Sequence, residues 1–259
     1  MSIQSKSKIS VRALCLIALG AQTIWGSVHA EEVLVAVASN FFTPMTEIAE
    51  RFQAETGHEV RLASGSSGRF VAQIRNGAPF QVFLSADQER VEALIQSGHA
   101  IEQTRFTYAN GALLLWSSDP ELSLDAESLS TVPFRRLALA NPDLAPYGKA
   151  AVQVLDALGL DESTRSRWVL GENIAQTYQF VATGNAELGF IAASQLSHGE
   201  TSSGVERAWR IPESYHEPIR QDAVLIRSAE GCAACRELLD YLQGPVSEEI
   251  MLEAGYRQR

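Results

Sequence analysis

The stretch VLVAVASNFFTPMTEIAERFQAETGHEVRLA, residues 33–63, decides the architecture. It opens on six apolar residues, Val33 to Ala38, a run of the length and composition of a buried strand. Met45, Ile48, Ala49 and Phe52 then fall at i, i+3, i+4 and i+7, one face of a helix that Thr43-Pro44 can start and Gly57 can stop. Residues 59–63 return to a strand pattern. Strand, helix and strand in succession point to α/β units around parallel sheets.

Outward from this stretch the alternation continues. Residues 69–76 and 87–97 read as helices ended by Gly77 and Gly98, with a strand at 81–85 between them. A second block repeats the pattern, with strands at 113–116, 136–140 and 188–192. Its helices are expected at 147–158 and from the Asn173 cap to Gly184. Beyond a Gly/Ser-rich stretch at 199–204 come a strand at 223–227 and helices at 232–242 and 247–254. The expected organisation is therefore two α/β lobes, each a mainly parallel sheet flanked by helices. Lobe I takes residues 31–110 and a return segment, 216–259; lobe II takes 111–215.

Residues 1–30 stand apart. Lys6, Lys8 and Arg12 precede a largely apolar run at 13–25, and Val28-His29-Ala30 puts small residues where a signal peptidase reads them. The run is shorter than the ~20 residues of a membrane-spanning helix. A cleaved secretory signal, cut after Ala30, is the expectation, and it places the mature protein in the periplasm.

The 259 residues hold 21 Lys and Arg against 31 Asp and Glu, with 46% hydrophobic residues. So apolar a chain can bury a sizeable core. The acid excess argues against nucleic acid or an anionic membrane surface as a partner. Without the leader the excess widens to 18 basic against 31 acidic side chains, and two of the three cysteines remain, Cys232 and Cys235. In an oxidising compartment this pair is expected to form a local disulfide. The rival reading, a redox CxxC motif, lacks a following βαβ unit.

Four junctions between strands and helices are rich in hydroxyl and amide side chains: Ala38-Ser39-Asn40, Ser64 to Gly68, Asn141 to Gly148, and Glu172-Asn173-Ile174. Ligands of open α/β sheets bind at the carboxyl ends of strands, and helix starts offer unpaired N–H groups to anions. Ordinary helix capping explains any one junction. Four together, two in each lobe, point to an anion site.

An enzyme finds less support. His58, His99, His198 and His216 lie in polar surroundings without metal-ligand spacing and read as solvated surface residues. The GSSG loop is neither a nucleophile elbow nor a phosphate loop. An exported hydrolase using a loop serine would need a histidine and an acid that spacing does not supply.

The sequence resembles the periplasmic molybdate-binding proteins that serve ABC transporters. The likeness rests on VAVASNF, GSSGRFVAQIRNGAPFQVFLSAD (residues 65–87), FTYANGALLLWS (106–117), NPDLAPYGKAA (141–151), AELGFIA (186–192) and YLQGPVSEEI (241–250). It implies the two-lobe periplasmic-binding-protein fold of class II type, with the oxyanion held between the lobes. It further implies contacts from Ser39, Asn40 and Ser67 on lobe I and from Tyr147 and the backbone N–H of Ile174 on lobe II. One branch of the family has a tyrosine where this chain has Ala192; here the hydroxyl is expected from Tyr147. The implied role is capture of molybdate or tungstate by a monomer that delivers it to a membrane permease, with no catalysis, cofactor or direct metal ligand. Arg69, beside Ser67, could serve as a counter-charge or point to solvent from the first turn of its helix. Cavity size is expected to set selectivity, because molybdate, tungstate and sulfate are all dianions; a binder of sulfate or another tetrahedral oxyanion is the alternative.

Overall fold

The computed structural model describes residues 30–196 and 206–257. The leader, apart from Ala30, and both His198 and the stretch 199–204 lie outside the described residues.

Lobe I starts with β1 (Glu32–Ala38), α1 (Phe42–Thr56), β2 (Glu59–Gly65), α2 (Ser67–Arg75), β3 (Val82–Leu84), α3 (Glu89–Gln96) and β4 (Phe106–Gly111). Lobe II holds β5 (Leu113–Trp116), β6 (Leu137–Ala140), α4 (Pro146–Ala157), β7 (Trp168–Gly171), α5 (Ile174–Ala182), β8 (Leu188–Ala192) and β9 (Trp209–Arg210). The chain then returns to lobe I as β10 (Ile219–Leu225), α6 (Ala233–Tyr241) and α7 (Pro245–Glu253).

Two five-stranded sheets result, ordered β2-β1-β3-β10-β4 and β7-β6-β8-β5-β9. In each, four strands run in one direction and one runs against them, β10 in the first sheet and β5 in the second, so both sheets are mixed but mainly parallel. The two reversed strands lie where the chain passes between lobes: β5 enters lobe II directly from β4 across Ala112, and β10 is the first strand on the return to lobe I.

Helices cover both faces of each sheet, which explains why the strands read as continuous apolar runs. On β1, Val33, Val35 and Val37 face α1, α6 and α7, whereas Ala36 packs with Phe70, Val71 and Ile74 of α2. In lobe II, Leu137 and Leu139 face Val154 and Leu155 of α4, while Ala138 packs with Val181 of α5. Helix α1 ends where expected: Gly57 takes φ 78°, a left-handed conformation that costs glycine little, and its N–H bonds the Gln53 carbonyl.

Two expectations about side chains change. His58 and His216 are buried, not solvated. The Gly57 turn folds His58 back against Phe52, where its Nδ1 accepts from the Glu31 N–H and its Nε2 lies 3.3 Å from the Glu237 carboxylate. Cys232 and Cys235 are joined in a disulfide at the start of α6, their Cα atoms 5.3 Å apart.

Candidate functional site

The carboxyl ends of the parallel strands in the two sheets face each other, and each hands over to a helix start at the boundary between the lobes. After β1 the chain makes a 3-10 turn, Ser39–Phe41, before α1. After β2, Ser66 is extended and Ser67 opens α2. After β6, Pro146 holds the first position of α4 and places Tyr147 in its first turn. After β7, the Asn173 side chain caps α5 by accepting from the Gln176 N–H, leaving Ile174 as its first residue.

Ser39, Asn40, Ser67, Tyr147 and Ile174, the five residues the resemblance singles out, therefore come together, lining one small cleft of about 190 Å³. All five are at most 9% exposed. No charged residue is among the described residues that line it. Arg69, the candidate counter-charge, reaches across the lobe boundary to pair with Glu172 instead. Arg90 pairs with Asp87 and donates to the Asp143 carbonyl at 3.0 Å. The donors available to a ligand are thus neutral.

Each is oriented by a neighbour. Ser67 Oγ accepts from the Ala86 N–H at 3.0 Å, which leaves the Ser67 proton to donate elsewhere. Tyr147 OH accepts from Gln221 Nε2 at 3.2 Å. Burial above all, with Tyr256 nearby, pushes the Tyr147 phenol well above its ordinary pKa and keeps it a neutral donor. Ile174 offers the N–H of a first helical turn, where the partial positive charge of the helix favours an anion. Asn40 differs from expectation in one respect: its side-chain Nδ2 is spent on Gln221 Oε1 (2.8 Å) and the Tyr256 hydroxyl (2.9 Å). The Asn40 side chain thus ties the cleft to the buried groups behind it.

The lobes touch through polar groups around this cleft. Gly68 N–H donates to the Leu144 carbonyl at 2.9 Å, and Ser194 Oγ donates to the Asn40 carbonyl at 2.8 Å. Gly68 has to be glycine for this approach, since a Cβ there would stand 2.9 Å from the Leu144 oxygen. Lys149 bridges to Glu89 at 3.2 Å.

Sequence reasoning missed two features. Ser66, 3% exposed and lining the cleft, has a buried hydroxyl without a hydrogen-bond partner. The GSSG loop holds the signal, two adjacent serines, but not which of them faces inward. The second is the buried set behind the cleft, Gln221, Tyr108, Tyr256 and Ser194. Its one visible sign is the polar stretch Arg220-Gln221-Asp222 that leads into the apolar run Ala223 to Leu225. Ala192, at the end of β8, is fully buried and carries no hydroxyl. The partner of the Ser67 hydroxyl is the Ala86 N–H, so Ser67 is not paired, among the described residues, with a histidine or carboxylate that could act as its base.

Known proteins match this arrangement over nearly its full length. The molybdate-binding protein ModA of Azotobacter vinelandii is 48% identical over 243 residues, 93% of this chain and 96% of the relative. ModA of Rhodobacter capsulatus is 43% identical, with 88% of each chain covered. The solved Azotobacter vinelandii periplasmic molybdate-binding protein superposes with a TM-score of 0.83 at 38% identity, covering 88% of this chain and 99% of that one. The sulfate-binding protein SubI of Mycobacterium tuberculosis H37Rv, at 11% identity and a TM-score of 0.71, shares the fold. The family described as bacterial extracellular solute-binding protein matches residues 33–257, and the chain belongs to that family.

Proposed function

We propose that this protein captures molybdate or tungstate between its lobes and delivers it to the permease of an ABC transporter. The observation that carries this reading is the cleft itself: hydroxyls and helix-start N–H groups from both lobes, neutral and nearly buried, converge on one small space. A tetrahedral dianion offers four acceptor oxygens and no proton, and stripping its water is costly unless donors replace it. Each bond to a charged acceptor returns about 1.5–3 kcal/mol. The names of the relatives at 48% and 43% identity support molybdate as the cargo. Contacts on both lobes let the bound anion hold the closed form, which is the form a permease can recognise as loaded.

In this reading the protein is a binder without turnover, works as a monomer and needs no resident cofactor. The first thirty residues direct export and are removed after Ala30, which leaves the mature chain in the periplasm.

Thermal-shift and calorimetric titration of the mature protein with molybdate, tungstate, sulfate and phosphate tests the proposal. A tight ligand of the folded state raises the melting temperature by linkage. Molybdate and tungstate are expected to do so at similar concentrations, with sulfate far weaker. Sulfate binding as strong as molybdate would reassign the cargo to the smaller oxyanion.

A further inference from the structure

Behind the cleft a buried hydrogen-bond chain spans both lobes and ends on Tyr147. Its polarity follows from one group that can only accept, the main-chain carbonyl of Asn40. Tyr256 OH stands 2.8 Å from this oxygen and donates to it. With its single proton so placed, the Tyr256 oxygen accepts from the Asn40 side chain at 2.9 Å, which turns Nδ2 toward Tyr256. The same Nδ2 lies 2.8 Å from the Gln221 amide, which therefore presents Oε1 there. That leaves Gln221 Nε2 facing Tyr147, 3.2 Å away. A phenol oxygen carries one proton; where it accepts from Gln221, that proton points the other way, and Tyr147 lines the cleft.

The surroundings are built for this arrangement. Gln221 is fully buried on β10, and Tyr108 OH sits 2.9 Å from its Oε1. Gly111 of β4 makes the room: a Cβ there would stand 2.2 Å from the Tyr147 hydroxyl and 2.7 Å from Gln221 Nε2.

We propose that Gln221 is a positioning residue that makes Tyr147 an obligate donor, and that the cleft thereby prefers fully deprotonated oxyanions to those that carry a hydroxyl. The inference rests on the oxyanion-binding reading above. A hydrogen phosphate or hydrogen arsenate brings an O–H in need of an acceptor. At Tyr147 it meets a second proton, and the hydroxyls of Ser67, whose oxygen already accepts from the Ala86 N–H, and of Ser66 can take it up only in place of the donation they would make to a bare oxygen.

The test compares molybdate with arsenate and phosphate at neutral pH, by calorimetry and competition, in the wild-type protein and in Gln221→Met, which removes the donor facing Tyr147. The expected result is about a tenfold narrowing of the molybdate preference, the equivalent of one hydrogen bond. In the Tyr147→Phe background the same substitution should leave the preference within about twofold, because the two residues act as one unit. Gln221→Glu, which offers Tyr147 an acceptor and turns its proton inward, should narrow the preference as well and replaces Gln221→Met if that variant does not fold. A folded Gln221 variant with the wild-type preference, or an equal change in the Tyr147→Phe background, overturns the proposal and leaves the functional reading standing. A wild-type protein that binds neither molybdate nor tungstate overturns both.

Discussion

In lobe I the polar side chains at the cleft are tied down by hydrogen bonds, whereas in lobe II the helix starts that reach it are seated on the backbone beneath them. Ser67 leans on the Ala86 N–H, and Asn40 is tied to Gln221 and Tyr256. In lobe II the first turn of α4 rests directly on β6, so that a Cβ on Gly148 would stand 2.1 Å from the Ala140 carbonyl oxygen. Helix α5 is seated equally closely, with Gly171 2.5 Å from Thr177 Oγ1 on the same measure. The strand orders of the two sheets correspond, so the contrast lies in how each lobe fixes its donors. Lobe I can exchange a donor and keep its fold; lobe II cannot shift a helix start without repacking the sheet.

The contrast breaks most visibly at Gly148. Replacing it with valine should destabilise the protein by about 3 kcal/mol or more, because the neighbour in the way is backbone and cannot turn aside. Denaturant melts read this, and wild-type stability would remove the rigid half of the comparison. On lobe I, Ser67→Ala should instead weaken molybdate by about 30-fold, or about 2 kcal/mol, with a much smaller change in the melt without ligand. Equal losses in both measurements would show that lobe I is as constrained as lobe II.

A third measurement uses pH. Burial raises the pKa of Tyr147, Tyr108 and Tyr256, so these phenols stay protonated in the folded state after those of the unfolded chain begin to ionise. Their contribution to stability is complete below pH about 10 and is lost as pH rises beyond it. Both lobes should lose stability together there, since Tyr147 belongs to one and Tyr108 and Tyr256 to the other. The smallest effect is expected at the Arg69–Glu172 pair, whose side chains are 55% and 40% exposed. Arg69→Ala should weaken ligand binding by about fivefold or less at low salt and by nothing measurable at high salt. A large, salt-independent loss would make Arg69 part of the anion site.

The elements most legible in the sequence are those whose periodicity and stop signals agree. Strands β5 and β8 fall on the expected residues, and α1 stops at Gly57. Strand β4, FTYANG, escapes a reading by pattern because Tyr108 and Asn110 are polar and glycine ends it. It is a strand because β10 pairs with it from across the chain. Strand β7 likewise depends on its partner β6. The same divide runs through the site. Ser39, Ser67, Tyr147 and Ile174 lie at junctions that local sequence marks, and the resemblance singles them out. Gln221 and Tyr256 owe their place to long-range packing, and no local spacing announces it.

The bond between Asn40 and Tyr256 joins residues 216 positions apart, and that between Asn40 and Gln221 joins residues 181 apart. Contacts of such separation close long loops of chain, at a large cost in loop-closure entropy. The cleft is consequently a feature of the finished molecule. A cargo that needs it binds the native state alone and stabilises that state by linkage. Capture thus depends on the whole chain: one in which Asn40, Gln221 and Tyr256 have not met lacks the wall behind the cleft.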